Sequence, residues 1–172
     1  MSVFKRLAEK RQRRRLAAIA TEQSAKDSRD AALTALEAEA GKLVEEIIRY
    51  LETEAADAKA CGYAAEVHRI RDDSTPLIGG ELSFAYSANV MPSQVRMQFG
   101  FRVTIGAERQ AQVSYICRER GRQPVTLIPT ETMELDGKEN ILSSVEAALE
   151  KFIEAAEADE DVWTQQSRTR FY

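Results

Sequence analysis

The sequence predicts an α+β protein: a long N-terminal helical arm, then a four-stranded antiparallel β-meander in the order 1-2-3-4, packed against a C-terminal helix. Three observations predict it. Apolar residues recur every three or four positions up to about residue 70, switch to every second position from residue 81, and return to three-four spacing after residue 140. The segments linking the alternating stretches, MPSQ, GAERQ and RERGR, are short and turn-like, which joins neighbouring strands as hairpins. With 172 residues, 44% of them hydrophobic, the chain suffices for one core and a helical extension.

Residues 3–20 favour helix by composition. Their arginines fall on all sides of the helical wheel, leaving only Val3, Phe4, Leu7 and Ala8 as a short apolar patch. The polar cluster SAKDSRD supplies helix-capping side chains, so either a second helix starts near Asp27 or Ser28 or the first continues through a polar stretch. From there Leu33, Leu36, Ala40, Leu43, Ile47 and Tyr50 recur at three-four spacing, flanked by Val44, Ile48, Leu51, Ala55 and Ala58. A face this broad suits a core or a bundle better than a two-stranded coiled-coil seam. Gly62 kinks or ends the helix, one or two further turns run to Asp72, and DDSTP stops them, because the residue before Pro76 is pushed out of helical geometry. Gly79-Gly80 reads as a turn; it lacks the lysine and further glycines of a phosphate loop.

In ELSFAYSANV, Leu82, Phe84, Tyr86, Ala88 and Val90 alternate with polar or small residues, and in VRMQFGFRVTI Val95, Met97, Phe99, Phe101, Val103 and Ile105 do the same. AQVSYIC and PVTLIP continue the alternation, so each strand buries one face. Keeping the apolar residues together sets the expected register: Val90 opposite Val95, Tyr86 opposite Phe99, Val103 opposite Val113, Tyr115 opposite Val125. Pro124 and Pro129 suit the fourth strand to an edge. Asp136 and Glu139 form a possible capping box for a helix whose apolar face is Ile141, Leu142, Val145, Leu149, Phe152, Ile153 and Ala156. The organisation expected is a basic arm over 1–26, a helical oligomerisation region over 27–72, a sheet-plus-helix domain over 80–158 and a polar tail over 159–172.

The residue types exclude much chemistry. His68 is the sole histidine, which removes multi-histidine metal sites; Asp72, one helical turn away, would make a pair with it but not a site. Cys61 and Cys117 have neither metal-ligand nor disulfide-framework spacing, and no signal-like or membrane-length apolar run is present, so a reducing, cytoplasmic setting is expected. The helix glutamates, among them Glu45, Glu46, Glu52 and Glu54, lack the accompanying histidines of a di-metal bundle. No acid, base, nucleophile or cofactor set stands out. The expectation is a non-enzymatic protein without cofactor or metal.

Charge is the most informative feature. The net charge of −4 divides into +6 over residues 1–15, −6 over 16–80, +3 over 81–130, −9 over 131–161 and +2 in the tail. Such segregation points to surfaces that meet oppositely charged ones. The stretch KRQRRR places Lys10, Arg11, Arg13, Arg14 and Arg15 in six residues, the candidate contacts for an anionic partner. Nucleic acid would bind it without sequence preference, but the remainder of the chain, at about −10, would repel the same duplex. Anionic lipid would find few apolar anchors beside the charge. An acidic protein surface, on a second copy or on another protein, accounts for the segregation with the fewest additions. The leading expectation is therefore an oligomeric protein-interaction or adaptor module whose arm pairs with acidic protein; the alternative is a nucleic-acid-associated accessory protein. A second candidate surface is the polar face of the sheet, where Ala85, Gln98, Gly100, Arg102 and Ser114 form a docking patch; Ala85 opposite Gly100 leaves a shallow spot, and no outward aromatic is present for base stacking.

Overall fold

One helix, five strands and a second helix follow in chain order in the computed structural model, which describes residues 3–85, 97–108, 110–119, 125–134 and 138–169. They are α1 (Val3–Ala60), β1 (Ala64–Asp72), β2 (Leu77–Ala85), β3 (Met97–Gly106), β4 (Gln110–Glu119), β5 (Val125–Glu134) and α2 (Lys138–Thr169). The strands form one antiparallel sheet in sequence order, β1-β2-β3-β4-β5.

α1 is a single helix of 58 residues, about 87 Å at 1.5 Å per residue. It contains no proline, and side chains of its polar stretch bond within the helix. Gln23 Nε2 donates to Asp27 Oδ1 at 2.8 Å, and the Thr21 and Thr34 hydroxyls donate to carbonyls one turn earlier. The helix ends at Gly62, whose φ of 94° is left-handed. The Tyr63 amide donates to Ala58 O at 3.0 Å and the Gly62 amide to Lys59 O at 3.1 Å, the two bonds of a Schellman cap.

Residues 64–72 are a strand, not the expected last turns of helix, and make the sheet five-stranded. The reason lies in which residues face the helix. Ala65, Val67, Arg69 and Arg71 share the α1 side, paired in register with Phe84, Leu82, Gly80 and Ile78. The two arginines take the places of apolar residues because α1 presents them with acids. Arg69 forks onto Glu45, with Nη2–Oε2 at 2.8 Å, and Arg71 Nε lies 3.2 Å from Glu37 Oε1. The hydrogen bond from Arg69 holds the Glu45 carboxyl below its ordinary range. Asp72 then turns the chain, accepting from the Ser74 amide at 2.8 Å and the Ser74 hydroxyl at 2.6 Å.

Gly79 and Gly80 lie inside β2 rather than in a turn. Both are close-approach positions. A side chain at Gly79 would run into the Val103 carbonyl of β3, and one at Gly80 would press on Ile48 and Leu51 of α1 at 3.1 and 3.3 Å. The first hairpin is two residues away from the expected register: Phe84, not Tyr86, lies opposite Phe99, and Ser83, not Ala85, lies opposite Gly100. Val103 pairs with Val113 as expected. Val125 lies opposite Cys117 instead of Tyr115, and Ile128 takes the place beside Tyr115, because the β4–β5 ladder slips around Tyr115. The proline-bearing strand β5 is an edge strand. Residues Tyr86, Val90 and Val95 and the Asp136–Glu139 capping box lie outside the described residues or side chains.

Both helices pack on one face of the sheet, α1 over β1 and β2 and α2 over β3, β4 and β5. The stripe Leu33, Leu36, Ala40, Leu43, Val44, Ile47, Ile48, Leu51 and Ala55 is buried inside the protein. It is core, not the self-association surface expected of residues 27–72. From α2 come Ile141, Val145, Ala148, Leu149, Phe152 and Ala156, while Ile153 is exposed at its edge. Phe152 is the hub: its ring lies 5.4–6.4 Å from those of Phe84, Phe99, Phe101 and Tyr115. Phe99→Ala should therefore cost about 3–5 kcal/mol in denaturant unfolding; a loss below about 1 kcal/mol would contradict its enclosure. Tyr115 is buried; its hydroxyl completes no hydrogen bond of good geometry among the described residues, and burial together with the neighbouring Glu131 carboxylate pushes its pKa up to about 12. Tyr115→Phe should leave the unfolding midpoint unchanged or raise it, since the buried hydroxyl has only an imperfect interaction with Glu131 to lose.

Candidate functional site

The arm is the part of α1 that the sheet does not cover. Every described side chain from Leu7 to Ala32 is exposed, over a length of about 40 Å. The cause is visible on the core-facing side of the helix. Stepping back from Leu36 and Leu33 by threes and fours, the same face carries Arg29, Lys26, Glu22, Ile19, Arg15 and Arg11. Such a face cannot be buried against an apolar sheet without leaving charges unsolvated. Lys10, Arg11, Arg13, Arg14 and Arg15 are all exposed, and none makes an ion pair among the described residues. On the helical wheel they cover an arc of about 200°, from Arg13 through Lys10, Arg14 and Arg11 to Arg15, and leave open the side that carries Leu16 and Ile19.

The second candidate surface is the sheet face opposite the helices. Ala85, Gln98, Gly100, Arg102 and Ser114 all lie on it. At its centre is a residue the sequence reading passed over, Glu81. Its register partner Arg102 donates through Nε and Nη2 to Glu81 Oε2 at 2.9 and 2.7 Å. From two strands away, Arg118 reaches the same carboxylate, Nη1 to Oε1 and Nη2 to Oε2, the latter at 3.1 Å. Ser83 Oγ adds a bond to Oε1 at 3.1 Å. Gly100 makes the reach possible: a β-carbon there would meet Arg118 Nη1 at 2.9 Å and Glu81 Oε1 at 3.0 Å. The shallow spot at Gly100 is thus filled from within by the chain's own guanidinium. Ala85 does not border it, since Ala85 pairs with Ala64 of β1.

The network ties the three strands β2, β3 and β4 through one carboxylate. Glu81 is nearly sealed, its side chain 7% exposed, whereas Arg102 and Arg118 keep 37% and 27% of theirs in solvent. Burial raises the Glu81 pKa, but the hydrogen bonds and charges of Arg118 and Arg102 outweigh it and hold the group at about 2 against an ordinary 4.5. One acid and two bases leave the cluster with one unit of positive charge. With the Ser83 hydroxyl and both guanidiniums committed to the ionised Glu81 carboxylate, the cluster is a fixed ionic clasp. The signal in the sequence was an acid on the same strand face as two arginines, with a glycine between them.

The exposed acids lie elsewhere. On α2, Glu146, Glu150, Glu154 and Glu157 recur every three or four residues and form an exposed row; on α1, Glu46, Glu52 and Asp57 are exposed beyond the arm. His68 does not meet Asp72, because in a strand four residues span about 13 Å; its Nε2 lies 3.3 Å from Glu66 Oε2 on the same face. No group of three or more metal-ligating side chains occurs among the described residues, and no described helix is long and apolar enough to cross a membrane. Neither cysteine is in a disulfide; Cys61 is exposed and Cys117 buried. Comparisons with protein-family models, with curated proteins and with solved structures find no match to this chain.

Because the Glu81 pKa is depressed in the folded protein, its contribution is complete above about pH 4.5 and lost as pH falls through about 2. Glu81→Gln should cost about 2 kcal/mol near neutral pH, less than a fully enclosed pair because both guanidiniums still reach water. The gap between variant and parent should close between about pH 5 and pH 2 in denaturant unfolding. A gap that stays constant over that range would show that the carboxylate charge contributes nothing.

Proposed function

We propose that this chain is a non-enzymatic protein-interaction module that assembles through its N-terminal arm, whose cations pair with acidic surface on a second copy of the chain. The observation that carries the proposal is the arm itself: a stretch of helix bearing Lys10, Arg11, Arg13, Arg14 and Arg15, clear of the sheet and without ion-pair partners among the described residues. A helix of ordinary composition gains little stability in isolation beyond what tertiary packing gives it. An extended, unpacked, charged helix is best accounted for by a surface that it meets. The chain supplies such surfaces in the acidic row of α2 and the acids of α1, and residues 146–161 carry −6 against the +6 of residues 1–15.

The alternative, a nucleic-acid-associated accessory protein, is favoured by one feature of the same arm. Its cations spread over more than half of the helix circumference, as suits a helix laid among phosphates. Against it stands the acidity of the remainder, which would face the same polyanion.

Replacing Arg11, Arg13, Arg14 and Arg15 by glutamine separates the two. The parent should sediment as a dimer or larger at about 0.05 M salt and dissociate toward monomer at about 0.5 M, as the Debye length shortens; the variant should be monomeric at both, with an unchanged unfolding midpoint. A parent that is monomeric at low salt, or one that binds DNA or RNA tightly at physiological salt and loses that binding in the variant, would overturn the proposal.

A further inference from the structure

A pocket opens where the end of α1 diverges from α2. Its floor is Leu82 and Phe84 of β2, its walls are Ala58 of α1 and Leu149 and Ile153 of α2, and Glu54 and Asp57 stand at its rim beside Cys61 and Tyr63. The volume, about 230 Å³, accommodates one or two aliphatic side chains. Acids flank it from both helices. Glu146 and Glu157, one turn to either side of Leu149 and Ile153 along α2, are exposed. Tyr50, one turn before Glu54, has its pKa raised by burial and by the charges of Glu54 and Glu146 together, so the acids of the two helices converge there. The site is an apolar cup with a carboxylate rim.

The arm carries a matching shape. Leu16 and Ile19, 59% and 55% exposed, lie one turn apart on the same side of the arm, where Leu7 is the other large hydrophobic side chain exposed among the described residues. Arg13 and Arg15 flank them around the helix. The arm cannot reach the cup of its own chain. Both belong to one continuous helix, and the 41 residues from Leu16 to Asp57 hold them about 60 Å apart. Only another copy brings Leu16 and Ile19 to the cup, and two helices running antiparallel do so at both ends at once.

We infer that the cup between α1 and α2 receives the arm of a second copy, which inserts Leu16 and Ile19 against Leu82, Phe84, Leu149 and Ile153 while its arginines meet Glu54, Asp57 and the acidic row of α2. The inference rests on the self-association proposed above and assigns it a place. Charge selects the partner helix, and two buried aliphatic side chains give a short-range contact that salt does not screen.

Cys61 lines the cup and is exposed, whereas Cys117 is buried, so the protein carries its own reporter. Leu16→Cys, mildly oxidised at low salt, should give a disulfide-linked dimer on a non-reducing gel, because a bridge needs α-carbons within about 7 Å. Cys61→Ser in the same chain should abolish the cross-link, and Ala31→Cys, far along the helix, should give none. Separately, Leu16→Asp should weaken the dimer by about tenfold or more in sedimentation, with the unfolding midpoint unchanged because Leu16 lies outside the core. Glu54→Arg with Asp57→Arg should abolish association, and adding Arg13→Glu with Arg15→Glu should restore it. A salt-sensitive dimer that shows no Leu16→Cys to Cys61 cross-link and is indifferent to Leu16→Asp would overturn the cup as the receiving site while leaving the arm's pairing with acidic surface intact. A monomer at low salt would overturn both.

Discussion

The architecture depends on one constraint: the five-stranded meander has a single apolar face, and two helices must share it. α2 takes the half over β3, β4 and β5, centred on Phe152 among four aromatic rings. α1 takes the half over β1 and β2, where Gly80 lets Ile48 and Leu51 come down onto the sheet. Strands of nine or ten residues span about 30 Å, so a helix of 58 residues cannot lie on them along its whole length. Where the sheet runs out, at Leu33, the core-facing side of α1 changes from aliphatic to charged. The arm is thus the direct consequence of a sheet shorter than its helix, with a sequence adapted to solvent on the overhang.

The opposite face of the sheet solves a different problem. A polar face in a small sheet needs no covering layer, yet Glu81, Ser83 and Thr104 are buried on it. Glu81 stays ionised there because two guanidiniums supply hydrogen bonds in fixed fork geometry, which an ammonium would not. The arginines in turn are held by one acid across three strands, so the clasp fixes relative strand position on the side where hydrophobic packing does not. On the helix side, Arg69 and Arg71 perform a related task, anchoring the edge strand β1 to α1 through Glu45 and Glu37.

Much of this was legible in the residues. The alternation through Phe99, Phe101, Val103 and Ile105, and through Ala111, Val113, Tyr115 and Cys117, gave two strands and their correct pairing, because a short turn and an apolar face together leave one register. The three-four spacing of Ile141, Val145, Leu149 and Phe152 gave α2. The failures have physical causes. Alternation fixes which face a residue takes but not a shift by two, so the first hairpin was misplaced by two residues. β1 was hidden because its inward positions include Arg69 and Arg71, whose acidic partners lie on another element. Gly79-Gly80 looked like a turn because a glycine that admits a neighbouring backbone is indistinguishable, in sequence, from one that bends its own. The broad stripe from Leu33 to Ala55 was recognised, but its width was assigned to a second copy when it was meeting a strand not yet seen. Of the candidate sites, the cationic arm was plain from charge alone; Glu81 and the cup between the helices depend on side chains that only the fold brings together.

An uninterrupted helix that carries a cationic segment at one end and acids at the other would also govern the stoichiometry of the pairing proposed above. Donor and acceptor ends sit at a fixed separation, so in an antiparallel pair each arm meets the other's acidic end and no interacting end is left over. Such an isologous arrangement closes at two. A staggered arrangement would leave one arm and one acidic end unmatched at each step and would grow without limit. The Schellman cap at Gly62 ends the helix before β1 and α1 contains no proline, so in the proposed pairing the length of α1 would be the gauge that separates a closed pair from an open filament.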